Sequence, residues 1–172
     1  MNRRNFLKFA GMASAVTLFP EWALANAKAP LEKTLSFYNT HTGETLKTTF
    51  WADGLYIPGA ITEINHILRD HRSGQSAQMD LELFDLLYAI RSGMGSNEAF
   101  HVISGYRSPQ TNAKLASHSS GVAKKSLHMQ GKAIDINLPG RNLSDLRKIA
   151  MAMKQGGVGY YPESNFVHVD VG

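Results

Sequence analysis

Hydrophobic and polar positions alternate or cycle along most of the chain, and the period changes from segment to segment. "LSFYNTHTGETLKTTFW", Leu35 to Trp51, alternates apolar and polar residues about a Thr-Gly turn, which predicts a β-hairpin. "GAITEINHILRDHRSG" and "QMDLELFDLLYAIRSGMG" place apolar residues three and four apart and end in glycine. They predict two helices, the second opened between Gln78 and Asp80. "AFHVISGYRSP" predicts a short strand from His101 to Ile103, broken by Gly105 and Pro109. "AIDINL" predicts another strand, "NLSDLRKIAMAMKQG" a helix opened by Ser144 or Asn142, and "NFVHVDV" a last strand. Helices precede and interrupt an antiparallel set of strands, so the expected class is α+β, a small antiparallel sheet with helices packed on it.

Two strands carry polar residues where their neighbours are β-branched. Period-two alternation turns Asp135 away from Ile134 and Ile136, onto the face of Ala133 and Asn137. His168 is turned away from Val167 and Val169, onto the face of Phe166 and Asp170. A carboxylate flanked by isoleucines costs several kcal/mol if it is buried alone, so Asp135 should be paired, metal-bound or solvated in a cleft. His128 precedes a glycine turn into the same strand as Asp135. Two imidazoles and one carboxylate would suit a zinc site that leaves a fourth position for water. The plainer alternative makes Asp135 a salt-bridge partner of Lys132 or Arg141 and leaves the histidines incidental. The other five, His41, His66, His71, His101 and His118, read as solvated or hydrogen-bonded structural residues.

Composition narrows the setting. The chain has 172 residues, 43% hydrophobic and 19% charged, which suits one folded domain rather than a disordered tail. No cysteine is present, so disulfides and thiolate metal sites are excluded, and any metal must be held by nitrogen and oxygen. The start, "MNRRNFLKFAGMASAVTLFPEWALANA", pairs Arg3 and Arg4 with a mild apolar run from Phe9 to Phe19 and a small-residue cleavage signal around Ala23 to Ala25. It resembles a twin-arginine export signal, with an uncleaved amphipathic helix or anchor as the alternative. The expected division is a leader over 1–27, cleaved near Ala25 or Ala27, and one domain over 28–172, with "NAKAPLEK" as linker. The apolar run is shorter than the roughly 20 residues that span a bilayer, so no stable membrane insertion is expected after cleavage. The formal charge of +4 falls to +2 once Arg3, Arg4, Lys8 and Glu21 of the leader are left out. That balance indicates no nucleic-acid partner. The expected partner in transit is the twin-arginine export machinery, and the expected destination is the periplasm.

Three motifs then stand in order: "SGYRSP", "SLHMQGKAIDI", which fits S-x-H-x-x-G-x-A-x-D, and "FVHVD" near the C-terminus. Together, over about His101 to Gly172, they resemble the zinc D-Ala-D-Ala peptidase family. That group includes exported D,D-carboxypeptidases, vancomycin-resistance D,D-dipeptidases, phage L-alanyl-D-glutamate endopeptidases and the hedgehog signalling domain. The chain is most similar to the twin-arginine-exported murein endopeptidase branch. The resemblance implies one zinc ion held by His128, Asp135 and His168, and peptidoglycan peptides as substrate. It implies that Arg107 binds substrate near the scissile carbonyl and stabilises its developing charge, and that Ser126 orients the substrate or the ligand shell. Many members carry an acid three residues before the last zinc histidine, where this chain has Asn165. The general base is then expected at Asp170, which could instead orient His168, or at Glu163. Whether the enzyme is an endopeptidase or a carboxypeptidase is left open, and the alternative to an enzyme is a non-catalytic, zinc-containing cell-wall-binding module of the same fold.

Overall fold

The structure is a computed structural model that describes residues 31–118 and 121–172. The leader, its cleavage sites and most of the linker lie outside the described residues. Seven strands form one sheet: β1 (Glu32–Asn39), β2 (Thr45–Ala52), β3 (Leu55–Tyr56), β4 (Phe100–Ser104), β5 (Ala133–Asn137), β6 (Val158–Tyr161) and β7 (Phe166–Asp170). Four helices accompany them: α1 (Pro58–Ile67), α2 (Leu81–Gly93), α3 (Pro109–His118) and α4 (Leu143–Met153). The class is α+β, as the segment order predicts.

The sheet runs in the order β3-β2-β1-β4-β5-β7-β6. It is mixed rather than antiparallel, because β1 and β4 pair in parallel while the other neighbours are antiparallel. A parallel pair needs a long crossover. Here the chain spends it on β2, β3, α1 and α2 before returning beside β1. Alternation along a strand specifies which face is apolar and says nothing of strand direction, so this pairing is a correction that only the fold supplies.

One face of the sheet is core. Leu35, Phe37, Val102, Ile134, Ile136, Val167 and Val169 are all buried, together with Ile64 of α1, Leu83, Phe84 and Leu87 of α2, and Leu146 of α4. Asp80 opens α2, its carboxylate accepting from the Glu82 amide at 3.0 Å, a favourable arrangement at a helix N-terminus. The opposite face carries Asp135, Asn137, Phe166, His168 and Asp170.

Three elements escape the hydrophobic pattern, one of them the two-residue strand β3, too brief for alternation to show. Helix α3 has few apolar residues, and its periodicity is weak. Its signal lies at its start, where the Ser108 hydroxyl accepts from the Thr111 amide at 3.2 Å and Pro109 takes the first helical position. Strand β6 is a short edge strand preceded by two glycines, too brief for alternation to register.

Candidate metal and peptide-binding site

The register of three strands assembles the site. Asp135 on β5 lies directly opposite His168 on β7, and opposite Ser104 on β4. The β4–β5 ladder slips between Val102 and Ser104, a bulge of the sort that re-aims side chains next to sites. Beyond it the chain passes so close to α1 that a Cβ on Gly105 would collide with the Leu68 carbonyl. Only glycine allows this approach, and it leaves the Gly105 carbonyl in place to accept from His128 Nδ1 at 2.8 Å.

His128 arrives from a short 3₁₀ turn, Leu127–Gln130. Ser126 caps it, its hydroxyl accepting from the His128 amide at 3.4 Å, and Gly131 ends it with φ of 69°. A side chain at Gly131 would also meet the Gln78 carbonyl, so both its conformation and its surroundings call for glycine.

Each imidazole is anchored on one nitrogen and leaves the other pointing inward. His128 Nδ1 must carry its hydrogen, because its partner is a carbonyl, so Nε2 offers a lone pair. His168 Nε2 faces Asp170 Oδ2 at 3.2 Å, which directs Nδ1 toward Asp135. The inward atoms are close: His168 Nδ1 to Asp135 Oδ1 is 2.8 Å, His128 Nε2 to His168 Nδ1 is 3.3 Å, and His128 Nε2 to Asp135 Oδ1 is 3.4 Å. Ligands about 2.0–2.2 Å from a tetrahedral zinc would stand about 3.3–3.6 Å from one another. Two of the three separations fall in that range and the third is somewhat short. Three electron-rich atoms facing one another repel unless a proton or a cation lies between them, and a single cation would satisfy all three. His128, Asp135 and His168 therefore fit a divalent ion, and they form the one such group of three among the described residues.

The electrostatics agree. Burial would raise the Asp135 carboxyl, but the imidazoles of His128 and His168, which donate to it when they are protonated on the facing nitrogens and no ion lies between, outweigh it and hold the carboxyl at about 2. Burial disfavours the imidazolium of His168, yet Asp135 and Asp170 overcome that and push it up. Arg107 reaches in from the loop after β4. Its guanidinium stands 3.9 Å from Asp135 Oδ2, 3.3 Å from the Ser104 hydroxyl and 3.4 Å from the Asn112 side-chain oxygen. Burial pulls the guanidinium down, partly offset by Asp135, and its buried Nε has no partner among the described residues. Buffering this loop from behind, Asp70 accepts from the amides of Ser108 and Arg72 at 3.0 Å each.

A cavity opens over these residues, lined by Arg107, Lys125, Ser126, His128, Asp135, Tyr161, Phe166 and His168 among others. The alternative partners for Asp135 do not apply: Lys132 pairs with Asp80 at 4.0 Å, and Arg141 donates to the Gly95 carbonyl. Nor do the other histidines join the group. His41 stacks on His71, His101 packs against Tyr38, and His118 contacts the Lys114 carbonyl.

Asp170 and Glu163, the two carboxylates considered for proton transfer, differ in setting. Asp170 is buried, with Oδ1 accepting from the amides of Gly157 and Gly172 and Oδ2 on the outer nitrogen of His168. It sits behind the imidazole, on the side away from Asp135. Glu163 is exposed in the turn beyond Phe166, and Phe166 is itself about 7 Å along the strand from His168. Sequence reasoning missed Asn112, whose side-chain nitrogen donates to the carbonyls of Ala123 and Lys124 at 3.1 and 3.4 Å while its oxygen receives Arg107. Its place just inside the Ser108-Pro109 helix start is the signal that would have found it.

Comparison with known proteins sets the family. Residues 27–172 match the model of a peptidase family described as "Peptidoglycan L,D-endopeptidase MepK". The chain belongs to this family. Similar full-length relatives include Peptidoglycan L,D-endopeptidase MepK of Escherichia coli (strain K12) and of Shigella flexneri, each 43% identical over 171 residues, 99% of this chain and 94% of theirs. The probable peptidoglycan L,D-endopeptidase MepK of Haemophilus influenzae is 40% identical over 99% of this chain and 92% of its own. The likeness thus extends upstream of the three motifs, through the hairpin and first two helices. Residues 1–20 match the model of the twin-arginine translocation signal sequence, so the chain carries an export signal. No helix among the described residues is long and apolar enough to cross a membrane.

Proposed function

We propose that the protein is a periplasmic, zinc-dependent endopeptidase that hydrolyses L,D cross-links of peptidoglycan, the amides joining the L-centre carbonyl of one diaminopimelate to the D-centre amine of another. The observation that carries the reading is the convergence of His128 Nε2, Asp135 Oδ1 and His168 Nδ1, with each imidazole anchored on its outer nitrogen. When bound there, a zinc ion would supply a Lewis acid for the amide carbonyl and lower the pKa of a water molecule towards about 7.

The chain's own groups orient the site and stabilise the developing charge. Arg107 presents a permanently charged guanidinium to the cavity, suited to hold the carbonyl oxygen as negative charge develops on it. The Gly105 carbonyl and Asp170 fix the tautomer and tilt of the two imidazoles. Ser126 sets the turn that delivers His128. Asp170 belongs to this orienting set, and Glu163, standing outside the cavity, is not the proton acceptor in this reading. The export signal and the names of the relatives support the periplasmic, peptidoglycan-directed assignment.

Incubating the mature chain with defined L,D- and D,D-cross-linked muropeptide dimers, with and without a chelator, tests the reading by mass spectrometry of the products. Cleavage of the L,D dimer that stops on chelation and returns with zinc is the expected result. A chain that binds the dimers but cuts neither, with zinc present, would instead be a cell-wall-binding module. Cleavage indifferent to chelation would overturn the zinc assignment.

A further inference from the structure

The cavity carries two cations of different character. Arg107 is sunk into it, its side chain 13% exposed, and its charge is partly answered by Asp135. Lys125 lines the same cavity from the segment that leads into the His128 turn, is exposed, and has no ion pair or hydrogen bond among the described residues. Asp135 is the only carboxylate among the cavity's lining residues, and it faces His128, His168 and Arg107. The ammonium of Lys125 therefore lacks a counter-ion where substrate would lie.

Its backbone is not loosely placed. Buried Asn112 donates to the carbonyls of Ala123 and Lys124 on one side, and Ser126 caps the turn on the other. Because the oxygen of the same Asn112 receives Arg107, one side chain ties both cationic segments together. The antiparallel pair β6–β7 contributes an apolar surface: Tyr161 and Phe166 stack with ring centroids 4.5 Å apart and 20° between planes. The Tyr161 ring lies over Gly159, close enough that a Cβ there would come within 2.8 Å of it.

We propose that Lys125 is a specificity-determining residue, binding the carboxylate that the substrate carries on the carbon next to the scissile amine. The proposal rests on the peptidoglycan reading above. In a diaminopimelate cross-link the leaving amine sits on a D-centre that also bears a carboxylate, and three methylenes run from it to the next centre. An unpaired ammonium and an aromatic surface in one cavity match that pairing of charge and aliphatic chain. A flexible ammonium acts as a point charge and suits a single carboxylate, whereas the fork of Arg107 is committed to the carbonyl.

The test compares two L,D-linked dimers that differ only in that carboxylate, free in one and amidated in the other, against wild type, Lys125→Met and Lys125→Arg. Losing a charge-assisted hydrogen bond should lower kcat/KM of Lys125→Met on the free acid about ten- to a hundredfold. The amidated dimer should be cut equally by both proteins, and Lys125→Arg should keep most of the preference. Binding of both dimers by calorimetry gives a readout independent of turnover, and the same selective loss is expected in Kd. Equal effects of Lys125→Met on the two dimers, or none on either, would overturn the proposal. Should wild type bind the free acid selectively through Lys125 yet cut neither dimer, the peptidase reading fails and this one stands.

Discussion

Asp135 and His168 face each other across the β5–β7 ladder, with Oδ1 and Nδ1 2.8 Å apart. They are 33 residues apart in the chain, and an antiparallel register makes them direct neighbours. A one-residue slip of either strand would turn its polar residue into the core and an isoleucine or valine into the site. The apolar alternation that buries Ile134, Ile136, Val167 and Val169 thus also holds the Asp135–His168 pair in register.

Removing the carboxylate should separate folding from metal retention. Asp135→Ala is expected to bind well under one zinc per chain after dialysis and to lose cleavage by at least about a thousandfold. Elemental analysis and dimer digestion check it. Stoichiometric zinc in this variant would mean that the ion sits elsewhere.

Asp170→Asn should act through His168. Loss of the charged acceptor behind Nε2 is expected to weaken zinc affinity about ten- to a hundredfold, read by competition with a fluorescent chelator. Glu163→Gln, by contrast, should leave kcat within about twofold. A hundredfold fall with zinc affinity unchanged would return Glu163 to the role of proton acceptor.

Gly105→Ala forces a methyl group against the Leu68 carbonyl and shifts the carbonyl that holds His128. A loss of about 2–4 kcal/mol in urea denaturation is expected from such backbone crowding, together with weaker zinc binding. Unchanged stability would show that the loop relaxes without cost.

Stability should fall in acid through Asp70. Burial raises its carboxyl, but hydrogen bonds from Thr111 and Ser108 dominate and hold it well below the ordinary carboxylate range. With the folded pKa below the unfolded value of about 4, the contribution is present above that value and is lost as pH falls beneath it. Asp70→Asn should therefore cost about 1–3 kcal/mol at pH 7, with the difference shrinking below pH 4. A difference that stays constant between pH 7 and pH 3 would remove Asp70 from the acid response.

Much of the site can be read from local pattern. Alternation around Asp135 and His168 places each on the face away from its β-branched neighbours, because the strand period is two wherever the strand lies. Gly131 marks a left-handed turn just before β5, and its backbone conformation is a local matter. The absence of cysteine restricts the ligand atoms to nitrogen and oxygen. Helices α1, α2 and α4 follow from apolar spacing, whereas α3 does not, because its buried residues include Thr111 and Asn112 rather than an apolar stripe.

The sequence by itself determined which residue types face which side of each strand, where the chain turns, and that any metal must be held by imidazole and carboxylate. Only the tertiary structure decided that β1 and β4 run parallel, that Asp170 turns to the outer nitrogen of His168, and that Asn112 joins Arg107 to the segment carrying Lys125. The physical reason is range. Periodicity records how a segment meets an apolar core, while partners brought together from dozens of residues apart are selected by packing and register over the whole sheet.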